Sequence, residues 1–240
     1  MSADENPLWT RLATRAGAEL APAQHALLAR YIDLLLEANQ RMNLTRIATR
    51  ADAELLHVAD ALTLLPHLPK DAHRLADVGS GGGVPGIPLA VVRPDAQVTL
   101  IESTQKKAAF LFETARQLRL KNVTVERARA EDVANSKDRE RFNVAAARAV
   151  ATLDWLAEWC LPLVKVGGRM LAMKGPKVRD ELDAGARAAR LVGGGEPVLH
   201  AVDLPGTSGH LVVDVPKLRR TDKRYPRPPT QSKGKPLGQR

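Results

Sequence analysis

The segment LADVGSGGGVPGIP, residues 75–88, limits what this 240-residue chain can fold into more than any other stretch. Gly79, Gly81, Gly82 and Gly83 follow directly on an apolar run, and Gly86 opens the next helical pattern. Glycines at such a turn let the backbone take positive φ and let a ligand come close to the main chain. A strand that enters the turn and a helix that leaves it begin a crossover unit, which demands a parallel partner strand. The sequence supplies several. RLADVG, QVTLIE, NVTVER, FNVAAAR and GRMLAMK read as strands, with PGIPLAVVR, TQKKAAFLFETARQLRL, LDWLAEWCLPLVKV and VRDELDAGARAARLV as helices among them. Pro162 should end or kink the third of these helices. EPVLHAVDL and SGHLVVDV then form a terminal hairpin around Pro205 and Gly206. The expectation is an α/β fold whose mostly parallel, seven-stranded sheet carries an antiparallel strand at one edge.

Helices precede this body. In QHALLARYIDLLLEAN, Leu27, Leu28, Tyr31, Leu34 and Leu35 recur at spacings of three and four. DAELLHVADALTLLPHL repeats the pattern through Leu55, Leu56, Ala59, Leu62 and Leu65, with Asp52 as N-cap and Pro66 as stop. The polar stretch between them reads as a loop, and the first 24 residues give no signal. The chain thus divides into a helical segment, 1–72, an α/β domain, 73–215, and a basic tail, 216–240.

The tail holds nine of the 36 Lys and Arg residues and one acid, so it carries +8 of the chain's formal +9. A Pro-rich basic segment with few apolar residues cannot fold alone. It is either a solubilising, disordered terminus or a polyanion-binding arm, since cations on phosphates release counterions. Elsewhere the composition excludes. One cysteine, Cys160, rules out a disulfide framework or a cysteine zinc site and fits a reducing cytosol. No apolar run approaches the roughly 20 residues that cross a bilayer, and the acidic start MSADENPLWT is unlike a signal peptide. A cytoplasmic protein without a metal is expected.

Glu102 ends QVTLIE, 23 residues beyond Gly79. A carboxylate there faces the same crevice as the turn and can accept both hydroxyls of a ribose. An adenosine-containing cofactor follows, in one of two forms. Gly81, Gly83 and Gly86 satisfy G-x-G-x-x-G, which admits a dinucleotide. Asp77 opens D-x-G-x-G-x-G instead, which resembles the first motif of class I S-adenosylmethionine methyltransferases. A carboxylate so near the helix start repels a pyrophosphate but suits a sulfonium with an amino-acid arm. After the third strand, Ala130 and Glu131 can bracket an adenine ring, while Asp132 is equally a helix cap. After the fourth comes Arg148 in ARAV, where amino-directed methyltransferases show Asn/Asp-Pro-Pro-aromatic. An arginine at this rim suits an anionic or guanine-bearing substrate.

With NLTRI (43–47), LLHVADAL (55–62), DVGSGGGVPGIPLA (77–90), IESTQKKAAFL (101–111), RARAED (127–132), AARAVATLDWL (146–156), MKG (173–175) and KRYPRPPTQSKGKPL (223–237) assembled, the chain resembles the bacterial 16S rRNA guanine-N7 methyltransferase family, RsmG or GidB. The resemblance implies a class I methyltransferase fold, S-adenosylmethionine as cofactor, and transfer to a guanine in the decoding region of 16S rRNA by a monomer acting on the small ribosomal subunit. It places Gly79, Val84, Asp77 and Gly81 at the cofactor, Glu102 on the ribose, where other members often carry Asp, and Ala130 and Glu131 beside the adenine. Arg148 would face cofactor and substrate. Lys174, Lys223, Arg224 and Arg227 become RNA-binding candidates, with Arg41, Arg46 and Arg50 of the 39–50 loop as helpers. His57 and Asp60 fall where members show Arg-His and Asp-Ser pairs, here altered by Leu56 and Ala61. Guanine N7 is a bare lone pair, so no general base is expected, and Cys160 is read as core. Removing residues 217–240 should weaken RNA binding and leave cofactor binding intact.

Overall fold

The computed structural model describes residues 5–232 and 234–239. The first four residues of the acidic start and two of the tail's cations, Lys233 and Arg240, lie outside them. Seven strands form one sheet: β1 (Arg74–Val78), β2 (Gln97–Ile101), β3 (Val123–Glu126), β4 (Phe142–Arg148), β5 (Val164–Lys174), β6 (Val198–Ala201) and β7 (Leu211–Pro216). Their order is β3-β2-β1-β4-β5-β7-β6. The first five run parallel, and β7 runs against both β5 and β6, one place in from the edge. Chain progression reverses between β1 and β4, so a crevice opens at the carboxyl ends of those two strands.

Alternation along the strands divides the interior into two layers. Leu75, Val98, Leu100, Val144, Ala146, Leu171 and Met173 face one layer. It is covered by α1 (Pro7–Arg15), α2 (Pro22–Met42), α3 (Arg50–Ala53), α4 (Asp60–Leu62), α5 (Gly86–Val92) and α6 (Gln105–Gln117). Ala76, Val78, Ile101, Ala145, Ala147, Met170 and Ala172 face the other, under α7 (Ala130–Ala134), α8 (Leu153–Cys160) and α9 (Leu182–Leu191). The helices before residue 73 therefore share their core with the sheet. Leu28, Ile32 and Leu35 of α2 are fully buried, each contributing about 1.5–3 kcal/mol by leaving water.

Several elements depart from the sequence reading. Helix α1 lies in the stretch that gave no signal. Asn6 caps it by accepting from the backbone of Leu8 and Trp9, and Pro7 fills the first position. Thr49, not Asp52, caps α3: its Oγ accepts from the Asp52 amide at 3.1 Å, and the Asp52 carboxylate accepts from the Thr49 hydroxyl at 2.7 Å. Between α3 and α4 the helix widens into a π turn, Glu54–Ala59. Val164–Val166, read as helical, open β5, because Pro162 cannot continue the ladder of α8 and a 3₁₀ turn intervenes.

The tail is not a free terminus. Lys217 is buried, donating to the Leu161 carbonyl at 2.6 Å with Glu140 at 3.3 Å. Arg139 donates to the carbonyls of Thr221 and Tyr225, and Tyr225 and Leu237 enter the second core layer. A segment without enough apolar surface of its own is ordered by charged groups of the body. Deleting residues 217–240 would strip this core, so that deletion cannot isolate RNA binding.

Candidate active site

The cleft at the carboxyl ends of β1–β3 is lined by Val78, Gly79, Ile101, Glu102, Ser103, Ala128, Arg129, Ala130, Glu131, Val150 and Trp159. Gly79, Gly81 and Gly83 all have positive φ, and a Cβ on Gly79 would meet the Val150 side chain at 2.8 Å. Only glycine fits there without strain. The turn is pinned from two sides. Gly79 and Ser80 donate their amides to the Ile101 carbonyl, and the Tyr31 hydroxyl of α2 donates to the Gly82 carbonyl at 2.8 Å. Glu102 is buried beside it, one oxygen accepting from the Gly81 amide at 3.0 Å and the other from Thr104 at 2.7 Å. Each oxygen keeps further acceptor capacity. Burial pushes the Glu131 carboxyl up from its ordinary value.

Asp77 stands behind the turn rather than in the cleft. It is 2% exposed, and one oxygen accepts from the Gly86 amide at the start of α5 at 3.1 Å, while the other is buried without a partner. Burial pushes its pKa up to about 7, against the pull of Gly86. Asp77 thus puts an acid against the start of α5, whose positive end a pyrophosphate would need, and this disfavours the dinucleotide alternative.

A second cavity, of about 710 Å³, adjoins the cleft across the segment 148–150: Arg148 and Ala149 line the cavity, Val150 the cleft. Arg148 does not reach the cleft. Its guanidinium donates to the Leu56 carbonyl at 2.7 Å, lies 3.2 Å from His57 Nδ1 and pairs with Asp60 at 3.4 Å. Leu56 lies in the π turn Glu54–Ala59. Burial, and after it the Arg148 charge, pulls His57 down to about 4, so the ring is neutral at pH 7. Lys174 also lines the cavity, but its ammonium is held by Glu181 at 2.7 Å and the Ala151 carbonyl at 2.9 Å.

Residues 24–204 match the family described as GidB, rRNA small subunit methyltransferase G. The ribosomal RNA small subunit methyltransferase G of Lactobacillus johnsonii is 38% identical over 97% of this chain and 100% of its own. That of an Exiguobacterium species is 41% identical over 88% and 90%. The chain belongs to the GidB family. Among solved structures, a mutant of MtNAS shares the fold with a TM-score of 0.53 at 18% identity, over 88% of this chain and 86% of that one. TYW2 of P. horikoshii, in complex with MeSAdo, does so at 0.51 and 17%, over 66% and 60%.

Of the positions that GidB resemblance assigned to the cofactor, Gly79, Glu102, Ala130 and Glu131 line the cleft. Asp77 and Gly81 shape the turn behind it, Val84 is packed into the first core layer, and Arg148 faces the second cavity. The lining fits a nucleoside: an acid with spare acceptors, small residues around Ala128 and Ala130, a flat indole at Trp159, and a turn that a Cβ would fill. Sequence reasoning missed Trp159 and Tyr31, which it counted as helix stripe or not at all. Arg227 is spent on Glu158 through two bonds of 2.8 and 2.7 Å, so it is a strut rather than an RNA contact. Arg41 pairs with Glu37, and Arg50 with Asp33 and Glu54. Lys223 and Arg224 stay exposed, Arg224 lying over the Tyr225 ring. Cys160 is fully buried, and burial pushes its thiol up, so it is no nucleophile. Among the described residues, no cluster of three His, Cys, Asp or Glu side chains could hold a metal ion, and no helix is long and apolar enough to cross a membrane.

Proposed function

We propose that this protein transfers the methyl group of S-adenosylmethionine to N7 of a guanine in the decoding region of 16S rRNA, acting as a cytoplasmic monomer on the small ribosomal subunit. The observation that carries the reading is the back-to-back pair of cavities across residues 148–150, in a chain of the GidB family. One is shaped for a nucleoside and the other is large enough for a base.

In this reading Glu102 accepts the ribose hydroxyls, Ala130 and Glu131 bracket the adenine, and the Gly79 backbone lets the amino-acid arm lie close. S-adenosylmethionine held there would supply an electrophilic methyl to the N7 lone pair, with the carbon–sulfur electron pair left on sulfur and the positive charge on the base. No proton leaves, so the transfer needs no general base. The protein's contribution is alignment of the two reactants, worth up to about 7–11 kcal/mol in well-oriented systems. Lys223 and Arg224 provide phosphate contacts at the surface.

The test uses methyl-labelled S-adenosylmethionine and small subunits lacking base methylation, followed by borohydride reduction and aniline cleavage at 7-methylguanine. A single cleavage in 16S rRNA is expected. Label without cleavage would overturn the N7 assignment, and no label on subunits or free 16S rRNA would overturn the substrate.

A further inference from the structure

One buried acid in the second cavity has no part in the chemistry described so far. Asp60 is 5% exposed, and a carboxylate taken out of water is costly unless it is paired. Its partners are Arg148, 3.4 Å from Oδ2, and His210, 3.7 Å from Oδ1. Each oxygen has one charged neighbour and about two lone-pair sites, so both keep acceptor capacity towards the cavity that Asp60 lines. Burial raises the Asp60 carboxyl, and Arg148 and then His210 oppose that shift.

Arg148 is not free to bind a phosphate. The Leu56 carbonyl, His57 and Asp60 hold its guanidinium, and Thr45 Oγ lies 3.0 Å from the far nitrogen of His57. A cation fixed in this way positions a neighbouring anion. Around the pair, Ile47, Leu56, Met173, Val202 and Leu211 give the cavity apolar walls suited to the faces of a flat ring.

An ionised carboxylate only accepts hydrogen bonds. Guanine presents two adjacent donors on its Watson–Crick edge, N1–H and the 2-amino group, whereas adenine presents an acceptor at N1. A carboxylate reader therefore selects guanine over adenine. The same edge lies across the ring from N7, so a base gripped there turns N7 away from the acid. The wall 148–150 separates Asp60's cavity from the cofactor cleft. As the base gains positive charge its N–H groups become stronger donors, and bonds to a carboxylate strengthen at the moment of transfer.

We propose that Asp60, steadied by Arg148 and His210, grips the N1–H and 2-amino edge of the target guanine, selecting that base and turning its N7 towards the cofactor cleft. The inference rests on the guanine-N7 reading above. Asp60 is a base-reading residue, and Arg148 and His210 are positioning residues.

The experiment rebuilds small subunits with 16S rRNA carrying guanosine, inosine or xanthosine at the methylated position. Initial rates are compared for the wild type and Asp60→Asn, with cofactor affinity measured by calorimetry. Inosine lacks the 2-amino group, and its loss should slow the wild type about tenfold or more, as for a hydrogen bond to a charged group. Asp60→Asn should bind cofactor normally, lose most of its rate on guanosine, no longer distinguish inosine, and recover on xanthosine, whose 2-oxo group accepts from the new amide. Equal wild-type rates on guanosine and inosine would overturn the inference even if the variant failed to fold, as would an Asp60→Asn enzyme with full activity on guanosine. A wild type that leaves guanosine itself unmethylated would instead sink the guanine-N7 reading, and this inference with it.

Discussion

The two cavities on either side of residues 148–150 are built by different means. The cleft proposed for the cofactor is made from short consecutive runs at neighbouring strand ends: Val78–Gly79, Ile101–Ser103 and Ala128–Glu131, joined by Val150 and Trp159. Backbone amides do most of its shaping, and Glu102 closes the turn it sits beside. The second cavity gathers Ile47, Asp60, Arg148, Lys174 and His210 from across the chain, and its charges are already paired within the protein. A site made of turn geometry tolerates loss of a side chain with a local change in affinity. A site made of buried ion pairs couples its function to the stability of the whole fold.

That contrast can be broken most directly at Arg148. Arg148→Ala leaves Asp60 buried beside a lost partner and should cost about 3–5 kcal/mol of stability, measured by urea unfolding. Adding Asp60→Asn should recover much of it. A loss below about 1 kcal/mol would make Arg148 an ordinary surface cation.

The next effect is in pH. His57 enters the folded state neutral, its pKa lowered to about 4 from an ordinary 6.5. The unfolded chain therefore binds the extra proton first. The stability linked to His57 is present above about pH 6.5 and is lost as pH falls through about 4, up to about 3 kcal/mol. Asp77 works the other way: its raised pKa gives stability below its ordinary value of 3.8 that is lost as pH rises through about 7. Thermal melts of His57→Gln should lack the acid-side loss, and a slope like that of the wild type would contradict the assignment.

In the cleft the effects are smaller and confined to the ligand. Glu102→Gln should weaken S-adenosylmethionine binding about 10–100-fold, as expected for lost charge-assisted bonds, and shift the unfolding midpoint little. Calorimetry showing unchanged affinity would remove Glu102 from the ribose. Smallest of all, replacing Lys223 and Arg224 by alanine should lower the salt dependence of rRNA binding by about 0.7–0.9 per charge, with cofactor affinity intact. Arg227→Ala should instead destabilise the fold, because it uncovers Glu158, which is 1% exposed.

The same contrast explains what could be read in advance. The strands were legible because their alternation is a local property, and the glycine turn and Glu102 because their spacing is nearly fixed by the crossover unit. Helix α1 was legible in principle through Asn6-Pro7, but its apolar pattern is short. The pairing of Arg148 with Leu56 and His57 spans 92 and 91 residues, and that of Arg227 with Glu158 spans 69. No periodicity encodes such meetings. Lys174 and Arg227 read as free cations because sequence shows a charge and not its partner. Tyr31 counted as one more apolar position on α2, although its hydroxyl is what reaches the turn.

That hydroxyl ties the cofactor turn to a helix 51 positions earlier in the chain, and Leu35 of the same helix sits where a Cβ on Gly82 would need to be. Whatever orders the turn must then slow the fraying of α2, even though no residue of α2 lines the cleft. Amide exchange along Pro22–Met42 becomes a distant gauge of cofactor occupancy.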